Sequence, residues 1–226
     1  MNRLLSGASA VFLSIALTSP GESTSTAKIQ FESAELLSAT DVPYPVQSIA
    51  IGTVVLEVIV SQTGEVEDIR TIRDIPSLTD VAVVSVKQWH FKPASLKGEP
   101  VRSRTTVAVT FNPAALPATS VPLPPLSGSG PSRSLDVQPE PIDVAEAVFP
   151  QYPANSVTTG TVVLRVTISG DGQVENTKVV RKIPSLTTQC IRAIEDWKFK
   201  PAQLQGRPLR SSIGLAFVLR PPASAN

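Results

Sequence analysis

Cysteine and histidine are almost absent from this chain, which has one residue of each among its 226. A single cysteine excludes a disulfide within the chain, even in an oxidising compartment. One histidine and one cysteine are also too few ligands for a zinc centre. The sequence therefore predicts neither a metal nor another cofactor.

An excess of charge of either sign is lacking as well. The 20 Lys and Arg residues are balanced by 19 Asp and Glu residues, which leaves a formal net charge of +1. Without a basic field to hold a phosphate backbone, nucleic acid is not expected as a partner. His90 stands where the second half of the chain has Lys198, and no pair of acidic residues recurs in both halves, so we expect no enzymatic activity.

A long hydrophobic run is missing too. The apolar segment 4–17 is interrupted by serines and glycine, and it is shorter than the roughly 20 residues that a spanning helix needs. Arg3 gives it a positive start, and Ser25-Thr26-Ala27 offers a small-x-small cleavage motif. Residues 1–27 are therefore predicted to be a secretory signal peptide, with Lys28 as the mature start. The alternative is an uncleaved membrane anchor.

The chain does contain a long internal repeat. The phrase WHFKPASLKGEPVR begins at Trp89, its counterpart WKFKPAQLQGRPLR begins at Trp197, and the same shift aligns two copies of GTVVL without a gap. The period is that of a domain and is too long for a solenoid unit. We predict two domains, residues 40–112 and 148–220, each with a small core.

Residues 113–147, between the copies, are rich in Pro, Ser and Gly. Such a composition cannot bury enough surface to fold and favours an extended, partly polyproline-II linker. The run VPLPPL from Val121 could serve as a ligand for a proline-binding partner, although a spacer is the simpler interpretation. The two domains are expected to be separate bodies on a semi-rigid spacer, each able to fold alone.

Each copy has the pattern of two strands, a helix and a third strand. Alternating apolar residues predict the first strand, and its charged residue, Glu57 or Arg165, falls on the same face in both copies and marks that face as the solvent side. Glycine turns then predict a hairpin, helical spacing predicts about three turns of helix, and prolines end the helix before a last strand. The predicted fold class is α+β: two small domains, each a three-stranded antiparallel sheet with a helix packed on one face.

Two tryptophans, Trp89 and Trp197, close the apolar faces of the predicted helices. Their identical setting indicates the main hydrophobic residue of each small core, and the alternative is an aromatic binding platform. Cys190 occupies the helix position that Ala82 has in the first copy. It is therefore predicted to be a small buried side chain with little thiolate character.

The ordered motifs of each copy resemble a known domain. Tyr-Pro, GTVVL, Pro-Ser-Leu, Trp-x-Phe-x-Pro-Ala and Gly-x-Pro-(Val/Leu)-Arg follow one another as in the C-terminal domain of TonB, the periplasmic energy transducer of Gram-negative envelopes. The resemblance implies a periplasmic location, with outer-membrane TonB-dependent receptors or other envelope proteins as partners. A chain anchored in the inner membrane would also contact ExbB and ExbD. Unlike TonB, this chain has two such domains, a spacer between them and an N-terminus that looks cleavable.

The resemblance also implies where a partner binds. In the family, the last strand pairs with a short receptor segment, helped by residues before the Tyr-Pro motif. Carried over, this implies a partner-binding site in each copy, formed by Tyr44, Arg102, Arg104 and Thr106 in the first and by Gln151, Tyr152, Arg210, Ser212, Gly214 and Ala216 in the second. The alternative is that these edge strands pair with each other, between copies or between the chains of a homodimer.

Together these features suggest a periplasmic, non-enzymatic protein that binds envelope proteins by strand addition. The alternative is a membrane-anchored energy transducer that drives outer-membrane transport. The second copy is expected to be the better binder, because Gln151 offers an amide before its Tyr-Pro motif and Gly214 stands where the first copy has Thr106. A β-bulge is the alternative explanation of Gly214.

Overall fold

The computed structural model of the chain describes residues 30–113, 120–121, 123–127, 135, 139–153 and 156–221. The predicted signal peptide, residues 1–27, lies outside the described residues, and so does about half of the predicted linker. Neither helix in the described ranges is long and apolar enough to cross a membrane.

The first half of the chain begins with two short strands and ends with a long one. Its elements are β1 (Phe31–Glu32), β2 (Glu35–Ser38), β3 (Gly52–Val60), β4 (Val66–Arg73), α1 (Pro76–Val86), β5 (His90–Lys92), β6 (Ala94–Leu96), β7 (Glu99–Val101) and β8 (Ser103–Pro113).

The second half repeats this order from its second strand on. Its elements are β9 (Ser120–Val121), β10 (Asp143–Val148), β11 (Gly160–Ile168), β12 (Val174–Arg181), α2 (Thr187–Glu195), β13 (Lys198–Lys200), β14 (Ala202–Leu204), β15 (Arg207–Leu209) and β16 (Ser211–Arg220). The α+β class and the succession of two strands, a helix and a last strand in each half are confirmed.

The hairpin turns of both halves depend on glycine. Gly64 and Gly172 have φ angles of 90° and 82°, which side chains rarely adopt. A Cβ at Gly64 would also lie 2.0 Å from the carbonyl oxygen of Phe91. The Phe91 N–H donates to the carbonyl of Gly64 (2.9 Å), so the turn is fastened to β5.

The long strands of both halves form one six-stranded sheet in the order β12-β11-β16-β8-β3-β4. Its central pair, β8 and β16, is parallel and runs from Thr106 opposite Ile213 to Pro113 opposite Arg220. The other neighbours are antiparallel. The prediction of two separate bodies is wrong, because nearly every residue of the last strands is buried and pairing removes their edges from solvent.

The parallel central pair puts the two helices on opposite faces of the sheet. An approximate half-turn about an axis along β8 and β16 relates the halves, and this rotation exchanges the faces. Leu56 of β3 therefore joins the first core, with α1, whereas its counterpart Leu164 joins the second core, with α2. Each core also includes residues of the other half: Ala216 lies in the first core, and Val55 and Ala108 lie in the second.

The segment before the first half crosses to the second half. This first arm, residues 30–45, lies on β11 and β16. The N–H of Ser212 donates to Ser33 Oγ (3.0 Å), and the N–H of Val42 donates to Thr161 Oγ1 (3.0 Å). The first arm therefore covers the sheet face opposite α2.

A second arm, residues 139–150, covers the first half in the same way. Thr106 Oγ1 donates to the carbonyl of Ile142 (2.6 Å), and Asn112 Nδ2 donates to the carbonyl of Pro150 (3.1 Å). Each half is thus closed on one face by its own helix and on the other by the arm of its neighbour.

The charged residues of the first strands do not lie on a solvent face, so that prediction is wrong. Glu57 is 5% exposed and forms ion pairs with Arg70 (3.4 Å) and Arg104 (3.5 Å). Arg165 forms an ion pair with Glu35 of the first arm (2.7 Å). Glu57 is buried and Arg165 is half-buried, and charged groups removed from water require such partners.

The two tryptophans lie in the two cores, as predicted. Trp89 is 1% exposed and Trp197 is 5% exposed. Trp197 Nε1 donates to the carbonyl of Val148 (2.9 Å), whereas Trp89 Nε1 has no hydrogen-bond partner among the described residues. Cys190 is buried and His90 is exposed, both as predicted.

Candidate functional site

The last strands of the two halves are not free edges. β8 lies between β3 and β16, and β16 lies between β8 and β11, so both strands are paired along both sides. The predicted binding residues Thr106, Ser212, Gly214 and Ala216 are all buried there. The alternative of pairing between the copies is what the structure has, and strand addition at these residues requires the two halves to separate. Their assignment to partner binding stays a prediction.

Gly214 is explained by the other half of the same chain. A Cβ at this position would lie 3.3 Å from Leu36 Cδ2 and 3.7 Å from Trp89 Cζ3, so the glycine leaves room for the first arm and the first core. Its counterpart Thr106 faces the second arm through the hydrogen bond to Ile142. The close approach expected at Gly214 exists, but the group that approaches it is internal.

The arginines before and within the last strands are held by carboxylates. Arg102 pairs with Glu67, and its counterpart Arg210 pairs with Glu175 in the same way. Arg104 is engaged with buried Glu57. Each pair joins the last strand to the same half's hairpin, so these side chains stabilise the sheet where the sequence predicted contacts to a partner.

Tyr44 and Tyr152 fasten equivalent loops at one end of the sheet. The Tyr44 hydroxyl donates to the carbonyl of Ala50 (2.5 Å), and the Tyr152 hydroxyl donates to the carbonyl of Thr158 (2.6 Å). The Arg220 guanidinium lies 4.1 Å from the centre of the Tyr44 ring. Burial raises the pKa of the Tyr44 hydroxyl, and the positive charge of Arg220 opposes this rise. Both tyrosines thus have a structural role.

Gln151, beside Tyr152, is exposed on the loop surface. Its amide is free of hydrogen bonds recorded within the described part of the chain, so the side chain is accessible to a partner. It lies in the loop that leads to β11, beyond the end of the buried central pair, and its predicted role in binding is untested.

The true outer edges of the sheet are β4 and β12. The edge of β4 is partly covered by residues 123–127. The N–H of Ser127 donates to the carbonyl of Ile72 (2.7 Å), and Leu126 forms an antiparallel bridge with Arg73. Arg73 Nη1 also donates to the carbonyl of Pro124 (2.6 Å). A proline-containing piece of the linker therefore lies along this edge and pairs with it at one isolated β-bridge.

The edge of β12 has no such cover within the described ranges, where its one strand neighbour is β11. Lys178 and Val179 are exposed along it. Arg181, near its end, forms an ion pair with Asp41 of the first arm (3.3 Å), and its Nε atom is buried without a hydrogen bond to a described residue. This edge offers backbone donors and acceptors and a guanidinium with spare donors.

Cys190, the one cysteine of the chain, lies buried in the second core. Burial raises the pKa of the Cys190 thiol, so the sulfur stays protonated and unreactive. No group of three or more potential metal ligands comes together in the part of the chain that the structure describes. The arrangement is suited to binding an extended segment through its backbone.

Sequence reasoning did not consider the two outer edges as candidate binding surfaces. It predicted the last strand of each copy as the free edge, whereas the free edges are β4 and β12, which end at Arg73 and Arg181. The recurrence of arginine at these two positions, next to Ile72 and Val180, was the available signal. It did not stand out because exposed arginines at strand ends are common and carry little energy.

The chain was compared with protein families, curated proteins and solved structures. The family described as Gram-negative bacterial TonB protein C-terminal matches twice, at residues 43–113 and 145–219. No curated protein and no solved structure matches the chain. The two matched ranges agree with the two halves of the sheet.

Proposed function

Because the chain belongs to the TonB C-terminal family through both of its halves, we propose that it binds proteins of the Gram-negative cell envelope by strand addition at an outer edge of its sheet. The family acts in envelope transport as a non-catalytic, periplasm-facing interaction domain. We assign this chain no enzymatic activity and place it in the periplasm after removal of residues 1–27. The partners proposed are outer-membrane receptors of the TonB-dependent class.

The observation that carries this proposal is the edge of β12, which has no strand neighbour other than β11 among the described residues. An unpaired strand edge either is protected or accepts a strand from another chain. The central strands cannot serve without separating the halves, since β8 and β16 hold each other along eight residue pairs. The hairpin edge is accessible in the folded protein and needs no rearrangement.

The second candidate function is that of an anchored energy transducer that contacts ExbB and ExbD. It differs from the first in that residues 1–27 are retained as a membrane anchor and not removed. The sheet and its edges are the same in both, so strand addition applies to either. Mass spectrometry of the N-terminus of the mature protein separates the two.

The test is titration of the whole chain with synthetic peptides that cover the N-terminal segments of TonB-dependent receptors. We expect at least one peptide to bind and to shift backbone NMR resonances along one strand edge. A set of peptides that produces no shift at about 1 mM, a concentration that populates even weak complexes, contradicts the function. Gln151→Ala serves as the comparison variant, and unchanged binding by it removes Gln151 from the site.

A further inference from the structure

The linker on β4 shows which kind of segment an outer edge of this sheet accepts. Three contacts define it: the Ser127 N–H to the Ile72 carbonyl, the antiparallel bridge of Leu126 with Arg73, and the Arg73 guanidinium to the Pro124 carbonyl. Leu123 packs against the second core beside this edge. The segment is held by backbone pairing, by an arginine that donates to one of its carbonyls, and by one apolar side chain.

The same features recur on β12 without an occupant among the described residues. The repeat places Val180 where β4 has Ile72, and Arg181 where it has Arg73. Val180 is partly buried against the first core, as Ile72 is against the second. The half-turn that relates the two halves therefore carries the linker site of β4 onto the edge of β12.

Each arginine forms an ion pair with an aspartate of the other half's arm, although the two aspartates occupy different positions of the repeat. Arg73 forms an ion pair with Asp143 of the second arm (3.5 Å), and Arg181 forms one with Asp41 of the first arm (3.3 Å). In each case a carboxylate takes one side of the guanidinium and leaves other N–H groups to donate. On β4 those groups hold the Pro124 carbonyl, and on β12 they are available for the equivalent carbonyl of a bound segment.

We propose that the edge of β12 at Val180 and Arg181 binds an extended, proline-containing segment of a partner protein, antiparallel to the strand and with the chemistry of residues 123–127. This inference rests on the proposed function and names the site and the class of segment. Proline suits the occupant because it pre-forms an extended chain and keeps its carbonyl as an acceptor. The residue that pairs with Val180 must keep its N–H, as Ser127 does opposite Ile72.

A partner protein is the occupant we favour over a second copy of this chain. The matching segment of each copy is already bound to its own β4, so binding between copies requires release of that segment first. A separate protein can supply such a segment without the release of residues 123–127 from β4.

The test uses a synthetic peptide with the sequence SVPLPPLSG, which is that of residues 120–128, and the isotope-labelled whole chain. We expect chemical-shift changes concentrated on residues 176–182. Arg181→Ala should weaken binding about tenfold, since it removes a charge-assisted hydrogen bond. Lys182→Ala is the matched control, because it removes the same charge from an exposed neighbour, and it should change the affinity less than about twofold.

Each of the following results would overturn the inference. One is the absence of chemical-shift changes at about 5 mM peptide, and another is shifts confined to β4, which show that the peptide exchanges with the chain's own linker. Equal losses of affinity in Arg181→Ala and Lys182→Ala would also overturn it. Concentration-dependent dimers that Arg181→Ala abolishes would identify a second copy as the occupant and also overturn it. If receptor peptides bind while this peptide fails, the inference falls and the proposed function stands. If this peptide binds β12 while no receptor peptide does, the receptor assignment falls.

Discussion

The two tryptophans should respond differently to the same substitution. Trp89→Phe and Trp197→Phe remove the same ring atoms from two equivalent, buried positions. Their packing losses are therefore similar and largely cancel when the two variants are compared. What differs is the indole N–H, which is bonded to the Val148 carbonyl in Trp197 and has no partner among the described residues in Trp89.

The size of the difference follows from the hydrogen bond. Trp197→Phe loses a net contribution of about 0.5–1.5 kcal/mol from its bond. Trp89→Phe removes a buried donor without a partner, and the desolvation of such a group costs about 1–3 kcal/mol. The free energy of unfolding of Trp197→Phe should therefore be lower than that of Trp89→Phe by about 2 kcal/mol or more.

Urea unfolding of the two variants measures this difference in the free energy of unfolding and also tests whether the two halves unfold together. Each variant retains one tryptophan, so its fluorescence reports on one half of the chain, while circular dichroism reports on both. Because β8 and β16 join the halves in one sheet, we expect the fluorescence and dichroism transitions of each variant to coincide. A cost for Trp89→Phe equal to or above that for Trp197→Phe would refute the hydrogen-bond reasoning, and separate transitions would refute the coupling of the halves.

Three further predictions concern the boundaries and contacts of the halves. Each half expressed alone, as residues 28–114 or 139–226, should self-associate, because separation of the two halves exposes Val55 and Ala108 or their counterparts. Light scattering checks this, and a stable monomer of either half would support independent folding. Mass spectrometry of the mature protein should find a start at Lys28, whereas an intact N-terminus in the membrane fraction would support the anchored transducer. Gly214→Val should lower the free energy of unfolding by about 1–3 kcal/mol, because the larger side chain overpacks the first core. Gly214→Ala should change the free energy of unfolding by less than about 1 kcal/mol, since the Leu36 side chain can move to make room for one methyl group. Thermal unfolding measures both effects, and equal effects would contradict this account.

Local patterns predicted the elements that local interactions determine. The first strands that alternation predicted are present as Gly52–Val60 and Gly160–Ile168, and the glycines of the predicted hairpin turns have positive φ angles. The helix faces ending in Trp89 and Trp197 were also identified correctly, because their spacing is a property of the segment itself.

The misassigned faces depend on contacts between distant parts of the chain. Glu57 and Arg165 were predicted to face solvent, because alternation shows which residues share a face of the sheet but does not show which segment covers that face. The covering arms begin far away in sequence and have too few residues in strand to give a pattern of their own. Sequence reasoning gave the pairing of the two last strands only as an alternative, since a parallel pair between two copies has no local signature.

The direction of the central strands has a mechanical consequence. The first arm enters beside Ser212, at the beginning of β16, and the described chain leaves that strand at its other end, after Arg220. Tension between these two points acts along the strands, whereas the bonds that join β16 to its neighbours lie across them. A load applied along the central strands is therefore carried in shear by whole rows of hydrogen bonds.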